Sequence, residues 1–347
     1  MTSASSNRPA IKVAALLSII VISFWIASYF PSLVLMLIIS GLASFILKPV
    51  VKLLEFRFGF RRSISIAMVF IAVGGVLVLV SLQLLPYVVD RVREMYEGFK
   101  DFPLDAKLRE VTQDLSKHVP FASPETLTQK IHGVLEGGLQ MLGDSLQGAA
   151  GFAVNLFIVP FVTYFILAES DTALKKLIER VPNKYFEMTL NVLNKISMDL
   201  VGYLRGWILD SVIVGILSII AYYVVGVKYA ILLGVLAGIS NLIPYVGPFA
   251  GVIPALLVSV TQFGDFRQVA PILIQMLLVQ TVDNTFVQPL CFAKTVDMHP
   301  LTVIIVLIVG NELMGVAGML LAIPIATILK ASAVESYWGL KNYQITA

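Results

Sequence analysis

Apolar residues occur in eight long runs, which are separated by shorter polar stretches. The runs cover residues 13–30, 33–47, 63–89, 149–168, 208–227, 229–260, 269–292 and 301–329. Several of them reach the roughly 20 apolar residues that a helix needs to cross a bilayer. The pattern predicts an all-α fold, a polytopic membrane helix bundle with about eight transmembrane spans.

Two of these runs are interrupted by glycine, proline and polar residues. The run 229–260 contains Asn241, Pro244, Gly247 and Pro248, and the run 301–329 contains Asn311, Glu312, Gly315 and Gly318. Proline removes a backbone donor, and a broken helix in hydrocarbon is tolerated only where protein or a water-filled cavity satisfies the freed groups. We therefore expect two interrupted or re-entrant spans with their breaks facing inward. Paired interrupted spans are typical of a transporter's binding site, although glycine and proline also permit close helix packing, and both interpretations stay open.

A polar stripe follows the run 269–292. It consists of Gln275, Gln280, Asp283, Asn284 and Gln288. A charged residue near the bilayer centre costs roughly 2.5 to 3.5 kcal/mol, so such groups usually face the bundle interior. We expect the stripe to line a path for a solute or ion; the alternative is that it only satisfies backbone groups freed at the breaks. Glu312 is a second carboxylate within an apolar run, whereas Asp210, near the start of its run, is expected at the membrane interface.

Composition excludes several classes of protein. Of the 347 residues, 58% are hydrophobic and 14% are charged, against roughly 25% charged residues in soluble domains. The net charge of +3, without a basic stripe, argues against a nucleic-acid partner. Cys291 has no second thiol to pair with, and no cofactor or metal is predicted. Neither HExxH nor GxSxG occurs, and all three histidines lie outside the apolar runs, so we do not expect an enzyme.

The basic residues predict the orientation of the chain. Arg8 and Lys12 precede the first run, which we interpret as an uncleaved helix, and Lys48, Lys52, Arg57, Arg61 and Arg62 outnumber Glu55 in the loop after the second. Such loops stay in the cytoplasm, so a multi-pass membrane protein with both termini cytoplasmic is expected. The predicted divisions are spans 1–3 (1–85), an extracytoplasmic helical cap (86–148), span 4 (149–168), cytoplasmic amphipathic helices (169–206), a transport core of spans 5–8 (207–335) and a cytoplasmic tail (336–347).

Four ordered motifs resemble the bacterial autoinducer-2 exporter family. They are PFVTYFILAESD from Pro160, GVLAGISNLIPYVGPFAGVIPALLV from Gly234, DNTFVQP from Asp283 and HPLTVIIVLIVGNELMGVAGMLLAIP from His299. The resemblance covers residues 10 to 335. It implies an inner-membrane protein of about eight spans that forms homo-oligomers, with a pentamer as the candidate assembly, and that has no ATP-binding module.

The resemblance also places the family's motif positions on this chain. They are Pro244, Gly247, Pro248, Asp283, Asn284, Pro289, Gly315, Gly318 and Pro324. The family leads us to expect a second glycine after Gly310, but this chain has Asn311. The resemblance therefore gives less support to a role for Asn311 and Glu312 than to the motif positions above.

The function that follows is transport of a small polar solute, with the quorum-sensing signal autoinducer-2 as the candidate implied by the resemblance. The sequence contains no GxxxxGK[ST] nucleotide-binding motif, so transport would have to be driven by a gradient. A sodium or lithium/proton antiporter is the alternative, because a buried carboxylate can exchange a proton for a cation. A passive channel and a scaffold role for the cap also stay open.

Overall fold

The computed structural model describes residues 29–100, 157–292 and 298–342, with three isolated positions at 129, 133 and 137. Its helices are α1 (Pro31–Phe58), α2 (Arg62–Lys100), α3 (Phe157–Glu179), α4 (Phe186–Val225), α5 (Ala230–Ser240), α6 (Gly247–Phe263), α7 (Val269–Val282), α8 (Gln288–Phe292) and α9 (Pro300–Asn342), with a π-helical turn at Asp283–Val287 between α7 and α8. No strand occurs among the described residues. The all-α prediction is confirmed.

Five segments of the described chain are long and apolar enough to cross a membrane: Ser32–Phe58, Phe157–Glu179, Asn183–Val225, Val269–Phe292 and Pro300–Gly339. Shorter apolar helices accompany them, including α5 and α6. The protein is therefore a polytopic membrane helix bundle. The predicted first span up to residue 28, most of the predicted cap, residues 149–156 and residues 343–347 lie outside the described residues.

Helix α4 is the axis of the core. It has 40 residues, or about 60 Å at 1.5 Å per residue, and it runs unbroken across residues 206 and 207, where the predicted cytoplasmic segment meets the predicted transport core. One stripe of α4 is buried, at the three- and four-residue spacing of a helix face: Tyr203, Trp207, Asp210, Ser211, Val214, Ser218 and Tyr222. We call its two termini the Phe186 end and the Val225 end.

Helices α5 and α6 form a hairpin that leaves from the Val225 end and returns to it. The side chain of Gln262, at the end of α6, accepts a hydrogen bond from the Lys228 N–H (2.7 Å) and donates one to the Gly226 carbonyl (2.9 Å). Both partners lie in the turn between α4 and α5. The interrupted run 229–260 is therefore re-entrant: its tip, residues 241–246, points back into the bundle.

Helices α7 and α8, with the π-turn between them, run antiparallel to α4. Gln275 interacts with Tyr222 and, nearer the Phe186 end, Asp283 interacts with Asp210. The Cα of Gly206 lies so close to α8 that a Cβ there would be 2.5 Å from the Cys291 carbonyl oxygen. This segment therefore carries the polar stripe of 269–292 along the buried stripe of α4.

The second interrupted run is also a hairpin. Helix α9 is broken at Met314 and Gly315, whose φ of 60° is left-handed, a conformation open to glycine without steric cost. We call residues 300–313 its first arm and residues 316–342 its second arm. The arms fold against each other closely, because a Cβ on Gly310 would lie 2.5 Å from the Gly318 carbonyl oxygen. The second arm then runs to the Phe186 end of α4, where Gly339 packs on Met188.

The two hairpins meet beside α4. A single apolar cluster joins Leu242, at the tip of the α5–α6 hairpin, to Val303 and Leu320, one from each arm of α9. Tyr203 and Trp207 of α4 belong to the same cluster. The hairpins thus approach from opposite ends of α4 and contact each other midway along it.

Helices α1, α2 and α3 pack together beside this core. Asp171 of α3 accepts hydrogen bonds from Lys48 of α1 (Nζ to Oδ1, 2.9 Å) and from Arg62 at the start of α2. Val51, Ile66, Val69 and Leu167 form the apolar cluster beside this ion pair. The three helices are therefore tied together at the end that carries the basic loop.

Candidate functional site

A cavity of about 760 Å³ lies between α4, the tip of the α5–α6 hairpin, α7–α8 and α9. Most of its wall is apolar and aromatic. Its polar groups come from Asp210, Asn241, Gln280, Asn284 and Gln288. Ligand sites of about 300–1,000 Å³ with mainly apolar walls and a few placed polar groups are typical of small-molecule binding.

Two carboxyl groups meet at one side of this cavity. Asp210 is 4% exposed and Asp283 is 0% exposed, and their side chains interact with each other directly. Each has one buried oxygen, Oδ1, that receives no hydrogen bond. Two negative charges in contact repel, so a proton or a cation held between them is the arrangement of lower energy.

Amide groups satisfy the other oxygen of each carboxylate. Asn241, at the tip of the hairpin, donates to Asp210 Oδ2 (2.9 Å). Gln288 and Gln280 donate to Asp283 Oδ2 at 2.8 and 3.3 Å, and both also donate to Asn284 Oδ1. The acid pair is therefore enclosed by side chains from three separate elements, and movement of any one of them would change its hydrogen bonds.

The π-turn explains how Gln288 reaches Asp283. In a π-helix residue i+5 bonds to residue i, and the Gln288 N–H bonds to the Asp283 carbonyl. Pro289 follows directly, and its missing N–H cannot continue an α-helical pattern. The turn thus places the Gln288 side chain over the Asp283 carboxylate, and π-turns of this kind are frequent at functional sites.

Aromatic residues hold the hairpin tip against α4. Trp207 Nε1 donates to the Leu242 carbonyl at 2.7 Å, and the Trp207 ring stacks on Tyr203, which also stacks on Phe292. Tyr245, at the tip, lines the cavity with a φ of 65°, which is rare for a bulky residue. The Val246 N–H bonds to the Pro244 carbonyl across it (2.8 Å), so the tip is a tight γ-turn around a strained tyrosine.

The structure brings most of the predicted site residues to this cavity. Asn241, Pro244, Pro248, Gln280, Asn284 and Gln288 line it, and Asp283 lies directly behind Gln280 and Gln288. Gln275 lines a second, smaller cavity farther towards the Val225 end. Gly247 packs against the Ser240 carbonyl inside the hairpin, and Pro289 is exposed on the surface of the chain.

The predicted residues of α9 lie apart from the cavity. Asn311 and Glu312 are exposed on the first arm, and Gly315 and Gly318 form the turn and the close contact of the hairpin. Helix α9 contributes Val303 and Ile323 to the cavity wall instead. A binding role for Asn311, Glu312, Gly315 and Gly318 stays a prediction that this arrangement does not support.

Asp210 is the site residue that the sequence analysis did not select. Its position at the membrane interface stays a prediction, but Asp210 is buried in the interior of the bundle, because α4 already begins at Phe186. The available signal was its spacing, three residues after Trp207 and seven after Tyr203, which puts it on the same helix face as two aromatic residues.

Comparison with known proteins finds similarity to transport proteins along most of the chain. The profile of a family described as "AI-2E family transporter" matches residues 15–337. The chain is 29% identical over 308 residues to the "Putative transport protein YueF" of Bacillus subtilis, covering 85% of this chain and 82% of that protein. It is 28% identical over 328 residues to the "Putative permease PerM" of Escherichia coli K12, covering 92% of each.

Proposed function

This chain belongs to the AI-2E family of transporters, and on that premise we propose that it is a secondary transporter that carries a small polar solute across the bacterial inner membrane. The family's name makes autoinducer-2 the first candidate cargo. The observation that carries the proposal is the cavity of about 760 Å³ between two re-entrant hairpins. It has the volume of a small-molecule site, and its amides offer donors and acceptors in place of the water that a polar solute loses.

The acid pair supplies a means of coupling to a proton gradient. A proton shared by Asp210 and Asp283 stabilises two carboxyl groups in contact, whereas loss of that proton leaves them repelling each other. Asn241 belongs to the hairpin tip and bonds to Asp210. Protonation of the pair therefore changes a contact between α4 and the hairpin, which is the kind of link that couples ion binding to movement.

The same pair favours a second candidate function, sodium or lithium/proton antiport. The two orphan Oδ1 atoms and the amide oxygens nearby are hard oxygen ligands, which suit a small cation. In this function the cation replaces the proton between Asp210 and Asp283, and no organic solute is needed.

Val92 and Met95 of α2 pack with Tyr222 near the Val225 end of α4, so Arg62 at the start of α2 and Lys48 beside it lie towards the Phe186 end. We assign this end to the cytoplasm. The Val225 end is then extracytoplasmic, the α5–α6 hairpin enters from outside and α9 enters from inside. With the predicted span that precedes α1, we propose that both termini are cytoplasmic. The exposed apolar side chains face lipid and, in a homo-oligomer such as the pentamer implied by the family resemblance, neighbouring subunits.

Reconstitution into liposomes tests the proposal. With an imposed proton gradient, the wild-type protein is expected to accumulate autoinducer-2, and Asp283→Asn is expected to reduce accumulation to that of protein-free liposomes while the protein still assembles. Proton movement driven by sodium or lithium without autoinducer-2 would favour the antiporter. The absence of proton-driven flux of either cargo in the wild type would contradict both functions.

A further inference from the structure

A second, smaller cavity continues the first along α4. It has a volume of about 20 Å³ and shares Pro248, Met276 and Gln280 with the larger cavity. Its remaining walls come from α4, the α5–α6 hairpin and α7. The smaller cavity begins at the level of Val214 and reaches Tyr222, so it leads from the acid pair towards the Val225 end.

Four polar side chains, from Ser218, Tyr222, Gln275 and Gln280, line this otherwise apolar cavity. Ser218, Tyr222 and Gln275 are all buried, and Gln275 is 7% exposed. The Gln275 side chain interacts with Tyr222, yet its Oε1 atom is buried without a hydrogen-bond donor. A buried acceptor without a donor is unfavourable unless a water molecule or a ligand group supplies one.

These groups extend the polar surface of the larger site. Asp210, Ser218 and Tyr222 on α4 face Gln275, Gln280 and Asp283 on the antiparallel segment. From Asp210 to Tyr222 the stripe extends about 18 Å along the helix, at 1.5 Å per residue. Polar residues buried within membrane-spanning segments usually line the paths of solutes and ions.

The hairpin covers this stripe through close contacts between small residues. A Cβ on Gly238 would lie 2.7 Å from the Ser211 carbonyl oxygen and 2.9 Å from the Gly215 Cα. Small residues let helix backbones approach closely. Movement of the α5–α6 hairpin away from α4 therefore separates two backbones at Gly238, and at the tip it has to break the hydrogen bond from Trp207 to the Leu242 carbonyl.

We propose that the smaller cavity is the closed outer half of the translocation path, and that Gln280 is the divider between it and the larger cavity. This inference rests on the proposed transport function. When the hairpin moves away from α4, the cargo passes along Ser218, Gln275 and Tyr222 to the Val225 end. The Oε1 atom of Gln275 then accepts a hydrogen bond from water or from a hydroxyl of the cargo.

Cysteine labelling tests the path without knowledge of the cargo. The only native cysteine is replaced by Cys291→Ala, and Ser218→Cys and Gln275→Cys are introduced separately. The charged, membrane-impermeant reagent MTSET is applied to one face of proteoliposomes at a time. Lys228→Cys, exposed at the Val225 end, identifies that face, and Ile220→Cys is the matched control on the outer surface of α4.

Both path cysteines are expected to react from the face identified by Lys228→Cys. Their labelling should be at least about tenfold faster than that of Ile220→Cys, because a thiol in lipid does not form the reactive thiolate. Reaction only from the opposite face, or from neither face although the thiols react after denaturation in SDS, would overturn the path. Phe249→Cys, in the wall of the larger cavity, separates the two claims: if it reacts while the path cysteines do not, the path fails and the proposed transport site stands.

Discussion

Asp210 of α4 and Asp283 of the π-turn interact through their side chains in the interior of the bundle, where both are almost completely buried. The hairpin tip bonds to one of them through Asn241, and the amides of Gln280 and Gln288 bond to the other. A change in the charge of this pair therefore acts on its hydrogen bonds to the hairpin tip, to α7 and to α8.

Removing the indole donor of Trp207 should loosen the hairpin tip. In Trp207→Phe the half-buried Leu242 carbonyl loses its 2.7 Å hydrogen bond, and a typical intramolecular hydrogen bond contributes about 0.5–1.5 kcal/mol. We expect a lower thermal unfolding midpoint in detergent. Trp338→Phe is the matched control, because Trp338 is half-exposed near the end of α9 and should leave the midpoint unchanged. Equal midpoints for the two variants would show that this hydrogen bond does not hold the tip.

Adding a methyl group at Gly318 should disrupt the α9 hairpin. A Cβ there would overlap the Gly310 carbonyl, and forcing extra atoms into a packed contact costs about 1–3 kcal/mol. Gly318→Ala is expected to lower the midpoint, whereas Gly74→Ala on α2, where nothing lies within 4 Å of the added atom, is expected to keep it. A Gly318→Ala protein with the stability of the wild type and altered transport would instead indicate that this glycine contacts the cargo.

Removal of the Gln288 amide should weaken the hydrogen bonding of the acid pair Asp210 and Asp283. In Gln288→Ala the 2.8 Å bond to Asp283 Oδ2 and the bond to Asn284 are both lost, leaving Gln280 as the amide donor to Asp283. We expect the dependence of flux on external pH to shift, because the Asp283 carboxylate has lost a hydrogen-bond donor. Gln262→Ala, at the end of α6 and away from the acid pair, is the amide control. An unshifted pH profile in Gln288→Ala would contradict a role of this amide in the hydrogen bonding of the acid pair.

A contact at the Val225 end should make stability depend on pH. The Tyr229 hydroxyl donates to Glu94 Oε2 at 2.7 Å, and Arg91 donates to both oxygens of the same carboxylate. These bonds lower the pKa of Glu94. A lowered pKa contributes stability above the ordinary value of the carboxyl group, and this stability is lost as pH falls through the lowered value.

Comparing the unfolding midpoint of the wild type with that of Glu94→Gln between pH 6 and pH 3 measures this contribution. The wild type should be the more stable at pH 6, and the difference should shrink as the pH falls. A constant difference across this range would mean that the Glu94 charge plays no part.

Sequence patterns predict where the helices and their breaks occur better than they predict which side of each helix points into the bundle. The breaks at Pro244–Pro248 and at Gly315 follow from local chemistry, because a missing N–H or a left-handed φ acts on the backbone where it occurs. Which side of an apolar helix faces inward depends on its partners. Glu312 therefore lies on the outside of the chain although the sequence gives it the same apolar surroundings as Asp283.

Asp210 and Gln288 illustrate two further limits. The apolar run that begins at residue 208 hides the fact that α4 starts at Phe186, so Asp210 resembles a residue at a helix end. A regular α-helix would place Gln288 at the edge of the face that carries Asp283, and only the π-turn puts the two side chains in direct contact. Both features depend on contacts between segments that are distant in sequence or on a local departure from the α-helical pattern.

The most direct test of the acid pair is to measure proton movement in proteoliposomes that contain the wild type, Asp210→Asn, Asp283→Asn or the double variant. Asp199→Asn is the carboxylate control, because Asp199 lies on α4 towards the Phe186 end and pairs with Lys195. If the two carboxyl groups hold one exchangeable proton together, each single variant should lose cargo-driven proton flux as completely as the double variant, and the control should retain it. Wild-type proton flux in Asp210→Asn would contradict the account, because Asp283 would then exchange its proton without the partner that the fold places beside it.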